Sequence, residues 1–284
     1  MRIFIYTISL LFGLAPSLIW LLFYLRKDAH PEPKRVVLRV FGYGVLLTVL
    51  FGIFLSKINT ITLLDNFFSG LDPLRERFPV LFTLLYIFLQ IFIGIAFVEE
   101  FLKYIVVKKI AIRLPDLDEP TDVMLYMIIV ALGFAAVENI LVIFNLDFPT
   151  PSSSLGLYYF ITLALFWTSI RFIGATFLHA LASGIVGYFL ALSFYYQKKH
   201  KRLILLGLTI ATLLHGFFNL FIILAGDEIS EKGKITVPSF VLFLSILFML
   251  AGAGFFVSRG FKKLKKKDPY LRAVSYTHLT LPTN

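Results

Sequence analysis

Two adjacent carboxylates, Glu99 and Glu100, lie in the run Ile91–Val107, which is otherwise built for lipid. A charged side chain near the centre of a bilayer costs about 2.5–3.5 kcal/mol on insertion scales. Such a pair, with Lys103 one turn on, persists only where it faces a protein-lined, watery space. Residues three and four apart share a helix face, so Lys103 can partly neutralise both acids and leave one carboxylate free to bind a metal or take a proton. Three later apolar segments repeat the anomaly, with Glu138 and Asn139, with His179, and with His215 and Asn219. His215 and Asn219 are four apart and point the same way. Imidazole is a common zinc ligand, and an amide such as Asn219 can donate to a developing oxyanion. The bland reading of each group is structural: an ion pair, an interhelical hydrogen bond, or a satisfied core histidine. Acids and imidazoles on four separate segments favour hydrolytic chemistry in the membrane, or a proton or ion relay, over packing alone.

What is missing narrows the chemistry. There is no His-Glu-x-x-His and no Gly-x-Ser-x-Gly, and Ser183 is not nominated as a nucleophile. The apolar segments hold no aspartate pair, and the chain has no cysteine. Hydrolysis would therefore rest on glutamate and histidine.

The elements that must position these groups follow from composition. The chain of 284 residues is 58% hydrophobic and only 15% charged, with a mean hydropathy of +0.86. Soluble domains carry about 25% charged residues, so the fold class expected is all-α, a polytopic transmembrane helix bundle. Seven spans of about 20 residues are read at 3–25, 37–56, 80–107, 122–144, 171–196, 203–225 and 236–258. The first is too long for a cleaved signal peptide and lacks a small-residue cleavage site. The apolar stretch at 157–169 suits an interfacial or re-entrant segment, with an eighth span as the alternative; Arg171 after it would cap a helix end or snorkel to the outer interface.

The net charge of +10 sits in clusters beside the ends of these spans, and no nucleic-acid motif accompanies it. With the N-terminus outside, 19 of the 27 Lys and Arg fall in inner segments and six in outer ones, which supports N-out and C-in. The inner clusters would attract anionic lipid at the cytoplasmic face. Residues 1–260 are read as one membrane domain and 261–274 as a basic cytoplasmic tail. The last ten residues, 275–284, break the pattern, resemble translated adapter sequence and are set aside with His278.

Taken together, Glu99-Glu-Phe-Leu-Lys103, Gly133-Phe-Ala-Ala-Val-Glu-Asn139, His179-Ala180 and His215-Gly-Phe-Phe-Asn219 resemble the PrsW family of intramembrane proteases. That family belongs to the superfamily of CAAX prenyl endopeptidases and bacteriocin-processing enzymes. The segments Asp28-Ala-His-Pro-Glu-Pro33 and Pro120-Thr-Asp122 also fit, although Val123 stands where a small residue would be expected. The similarity runs from about residue 15 to 225. It implies a bacterial inner-membrane peptidase that cleaves a single-span, membrane-anchored protein such as an anti-sigma factor. It leaves two schemes open. In one, Glu138, His179 and His215 hold zinc while Glu99 or Glu100 activates water. In the other there is no metal, a glutamate of the first motif is the base, the histidines orient and protonate, and Asn219 helps hold the oxyanion. Lys103 and Asn139 complete the expected site. The competing class is a proton- or cation-coupled transporter using the same groups as a relay.

A register problem accompanies the single-site reading. From the span boundaries and a rise of 1.5 Å per residue, Glu99 falls to the cytoplasmic side of centre, whereas Glu138 and His179 fall outward.

Overall fold

The structure is a computed structural model and describes residues 2–27, 31–57, 76–114, 117, 119–146 and 154–267. Among these there are helices and turns and no strand. We label the long helices α1 (Arg2–Leu25), α2 (Lys34–Lys57), α3 (Pro79–Lys109), α4 (Pro120–Phe144), α5 (Ser154–Ile173), α6 (Ala175–Tyr195), α7 (His200–Lys232) and α8 (Val237–Leu264). Among the described residues, seven spans are long and apolar enough to cross a membrane, with α5 and α6 forming one continuous stretch, Gly156–Tyr195. The all-α, polytopic architecture expected from composition is the one observed. Residues 275–284, the end of the basic tail, Asp28–His30 and most of the segment between α2 and α3 lie outside the described residues.

The centre of the bundle is α4. It is apolar on every side, and every residue from Pro120 to Ala136 is buried, as expected of a helix surrounded by other helices. Its start is set chemically: Pro120 occupies the first turn, and the Glu119 backbone N–H donates to Asp122 Oδ2 at 2.6 Å in a capping box. The Pro-Thr-Asp segment is thus a helix start. Val123, where a small residue was expected, is fully buried in the core.

In lipid, helices gain little from burying apolar surface against one another and depend on close packing. Glycines make the crossings around α4. A Cβ on Gly133 would run into the Phe41 carbonyl of α2, one on Gly44 into the Val130 carbonyl, and one on Gly13 into Ile140. On α6, a Cβ on Gly187 would come within 2.7 Å of Met124 Cα. The other helices therefore approach α4 at glycine-to-backbone distances.

The stretch at 157–169 differs from the expectation. It belongs to the 20-residue helix α5, which meets α6 at one non-helical residue, Gly174 (φ −92°, ψ −97°). Helical hydrogen bonds persist on both sides, from Gly174 N–H to Ile170 O and from Leu178 N–H to Gly174 O, each 2.8 Å. Contacts with α1 advance in step along both helices. Phe160 and Ala164 meet Ile5, Ile8 and Phe12, Thr168 bonds to the Phe12 carbonyl, and Phe172 and Phe177 stack on Trp20. The chain therefore bends at Gly174 without reversing, and the span expected to begin at 171 is preceded by a further helix.

Candidate active site

The site is built from α3, α4, α6 and α7. In α3 the middle section, Phe88–Phe97, is a π-helix. Such widened turns alter which way later side chains face and are frequent at functional sites. Val98–Lys109 then resumes the α-helix and turns Glu99, Glu100 and Lys103 into the bundle, all three buried. From α7, Gly216 admits the Phe92 ring of the π section, leaving no room for a Cβ. This contact seats His215 against α3.

Lys103 is the hub. Its Nζ lies 2.9 Å from Glu100 Oε1, 3.3 Å from Glu99 Oε2 and 2.9 Å from His179 Nδ1. It also lies 4.3 Å from the centroid of the Phe134 ring. An ammonium has three N–H donors and no acceptor, so all three are used and its side chain is completely shielded from solvent. It follows that Nδ1 of His179 accepts and the ring proton sits on Nε2, which donates to Glu138 Oε2 at 2.8 Å. Glu100 is saturated: Oε1 also accepts from His215 Nδ1 at 3.1 Å, and Oε2 accepts from the Ser183 hydroxyl at 2.8 Å. With its proton on Nδ1, His215 presents the Nε2 lone pair toward Glu99, whose Oε2 is 4.0 Å away. Among the described residues, Oε1 of Glu99 has no hydrogen-bond partner.

Four of the expected residues, Glu99, Glu100, His179 and His215, each offer a ligand atom, and these atoms lie within 4.8 Å of one another. Glu138 lies outside this group. It holds the outer nitrogen of His179 and receives Arg171 Nη2 at 3.5 Å, and its side chain is 27% exposed. Asn139 faces away from the cluster, donating to Thr176 Oγ1 at 2.9 Å and accepting a short hydrogen bond from Arg171 Nε. Asn219 is half-buried one turn beyond His215 and bonds to no cluster member.

Two participants were not singled out from the sequence. Ser183 is four residues from His179 and on the same face of α6, a spacing that could have found it. Arg171 neither caps a helix end nor snorkels outward. It is a half-buried partner of Glu138 and Asn139, and the signal was its place as the one cation between residues 154 and 195.

The register problem resolves through the end of α3. Lys109 lies only about 13 Å of helix beyond Glu100, whereas His215 lies about 22 Å from the start of α7. Val107, Ala111 and Ile112 are buried, so α3 stops inside the bundle short of its neighbours' ends.

A family model for the PrsW family intramembrane metalloproteases matches residues 32–252. The chain belongs to that family. It is similar to Protease PrsW of Oceanobacillus iheyensis, at 27% identity over 207 residues, covering 73% of this chain and 79% of the relative. It is also 27% identical over 240 residues to Protease PrsW of Shouchella clausii, covering 84% and 91% of the two chains. The Protease PrsW of Geobacillus kaustophilus is 28% identical over 210 residues, covering 73% and 76%. No solved structure matches the chain significantly. Membership of an intramembrane protease family agrees with the seven apolar helices of a multi-pass membrane protein and gives the transporter reading no support.

The family name implies a metal, and the donor set can be tested for it. Two imidazoles and two carboxylates, all buried, suit zinc in type and number. Both histidines have one nitrogen fixed by a carboxylate, Glu138 for His179 and Glu100 for His215, the outer-shell arrangement usual for metal-binding histidine. With every group ionised, the three carboxylates outnumber Lys103 and Arg171 by one negative charge. The residues fit a cation, provided Lys103 Nζ gives up its contact with His179 Nδ1.

Proposed function

We propose that the chain is a bacterial inner-membrane endopeptidase that cleaves a single-span, membrane-anchored protein such as an anti-sigma factor, with Glu99 as the base that activates water. The N-terminus lies outside and the basic C-terminal end inside, following the charge bias. One observation carries the assignment of the base: among the described residues Glu99 keeps an oxygen, Oε1, without a hydrogen-bond partner, while its Oε2, held by Lys103, lies 4.0 Å from the free Nε2 of His215. Two acceptors at that spacing are suited to share one water.

Glu99 takes a proton from that water, and the oxygen attacks the carbonyl carbon of the substrate. The carbonyl oxygen gains negative charge, which the Asn219 amide, one turn beyond His215, receives as a hydrogen-bond donor in this scheme. The C–N bond then breaks, and the proton held by Glu99 passes to the departing amine, leaving a carboxylic acid and an amine, which together ionise to carboxylate and ammonium, with Glu99 again a carboxylate. Lys103 keeps the carboxylates from repelling one another, Glu100 orients His215, and Glu138 orients His179. In the zinc-dependent form, His179 and His215 would hold the ion, oriented by Glu138 and Glu100, leaving Glu99 for the water. When bound, such an ion supplies Lewis-acid polarisation of water and carbonyl.

Glu99→Gln keeps the size of the side chain but cannot take the proton. General-base removal costs about 10²–10⁴-fold, so cleavage of a reconstituted single-span substrate by the purified variant should fall by at least about 100-fold, with helicity unchanged. A variant that cleaves at the parent rate would remove Glu99 from the chemistry.

A further inference from the structure

On the far side of α6 from the cluster, α1, α5, α6 and α8 line a half-open cleft of about 420 Å³. Its wall is aromatic. Trp20 stacks on Phe177 at 4.2 Å and on Phe172 at 5.3 Å, and its Nε1 donates to the Phe172 carbonyl at 2.9 Å. The one polar atom of the indole is thus satisfied, and apart from Lys27 and the Tyr24 and Ser258 hydroxyls the wall offers a ligand only apolar contact. The neighbouring residues Ile19, Leu22 and Phe255 are exposed on apolar spans, so an occupant enters from the hydrocarbon of the bilayer.

The lining has one cation. Lys27 follows the end of α1, half-buried, with Nζ 4.8 Å from the centroid of Phe23 and no carboxylate partner among the described residues. Ser258 lies on the opposite wall, one residue before Arg259 and close to the basic end of α8. An apolar slot ending in a cation that has no carboxylate partner among the described residues has the shape and charge of a lipid: a chain in the slot, an anionic headgroup at its mouth. The volume is in the range of small-ligand pockets and too small for a substrate helix, which is about 10 Å across.

We propose that this cleft is a lipid site that takes one acyl chain of an anionic phospholipid, with Lys27 holding the phosphate. Trp20 supplies its own reporter. The chain has two tryptophans, so Trp167→Phe leaves Trp20 alone to fluoresce in the full-length protein, reconstituted in phosphatidylcholine vesicles. Phosphatidylglycerol with brominated acyl chains should then quench Trp20 at a mole fraction several-fold lower than brominated phosphatidylcholine does. Lys27→Gln should lose that preference by about fivefold, the effect of one cation near an anionic headgroup. Gly254 lines the cleft, and a Cβ there would sit 3.5 Å from Phe177 Cζ, an ordinary contact. Gly254→Ala should therefore fold and quench as the parent does, while Gly254→Leu fills the slot and abolishes the strong quenching. Equal quenching by the two lipids in the parent would overturn the proposal, as would unchanged quenching in Gly254→Leu. An absence of quenching by either lipid, as when a second copy of the chain covers the slot, would overturn it too.

Discussion

Lys103 satisfies three acceptors from two helices with one ammonium, and the rest of the cluster is arranged by what that leaves over. Glu100 has every lone pair of consequence engaged, so it positions; Glu99 keeps an oxygen without a partner among the described residues, which suits it to the proposed role of base. Replacing Glu100 by Gln would put an amide N–H₂ against Lys103 or His215 and leave a buried cation underpaired, a change of about 3–5 kcal/mol. Loss of activity there would report folding as much as chemistry. Ser183 is the cleaner probe of the same carboxylate. Ser183→Ala removes one hydrogen bond to a charged group, about 1.5–3 kcal/mol. We expect kcat to fall about tenfold or more with KM little changed, in single-turnover cleavage by a protein whose melting temperature drops only slightly. An unaltered kcat would show that Glu100 is held without Ser183.

At the scale of elements, the cluster depends on how closely helices approach α4 and on the π section of α3. The Gly133 crossing, five residues before Glu138, holds α2 against α4. Gly133→Ala forces a Cβ onto the Phe41 carbonyl, and overpacking of this kind costs about 1–3 kcal/mol. Thermal unfolding followed by far-UV circular dichroism should show a clear loss of stability. Gly252→Ala, with nothing within 4 Å of its Cβ, should unfold at the parent temperature. Equal midpoints for the two variants would mean the crossing is looser than described. The π section was invisible in advance because Phe88–Phe97 has the same apolar composition as an ordinary span. Its widened turns are stabilised by tertiary contacts such as Phe92 on Gly216.

For the whole molecule, the question is which cation the buried donor set takes beside Lys103. The donor set can accept zinc, and Lys103 occupies part of the same space. Protein equilibrated with zinc and then freed of excess metal is expected to retain about one ion per chain by elemental analysis, and His215→Ala to retain far less. A fully active preparation without metal would instead leave Glu99 to activate water alone.

Much of this was readable without coordinates because a bilayer punishes misplaced charge. Seven apolar segments, the identity of the residues that interrupt them and the start of α4 at Pro120 all follow from local composition and spacing. The motifs likewise marked Glu99, Glu100, Lys103, Glu138, His179 and His215. Their division of labour did not follow. Glu138 moves from expected ligand to the group that orients His179, Asn139 turns to Arg171 and Thr176, and Ser183 enters. Hydrogen bonds between helices depend on rotation and depth, which the residue order on one helix does not encode. The early end of α3 and the bend at Gly174 have the same origin. They are decided where helices meet, by which backbone a glycine lets approach and which buried charge then finds a partner.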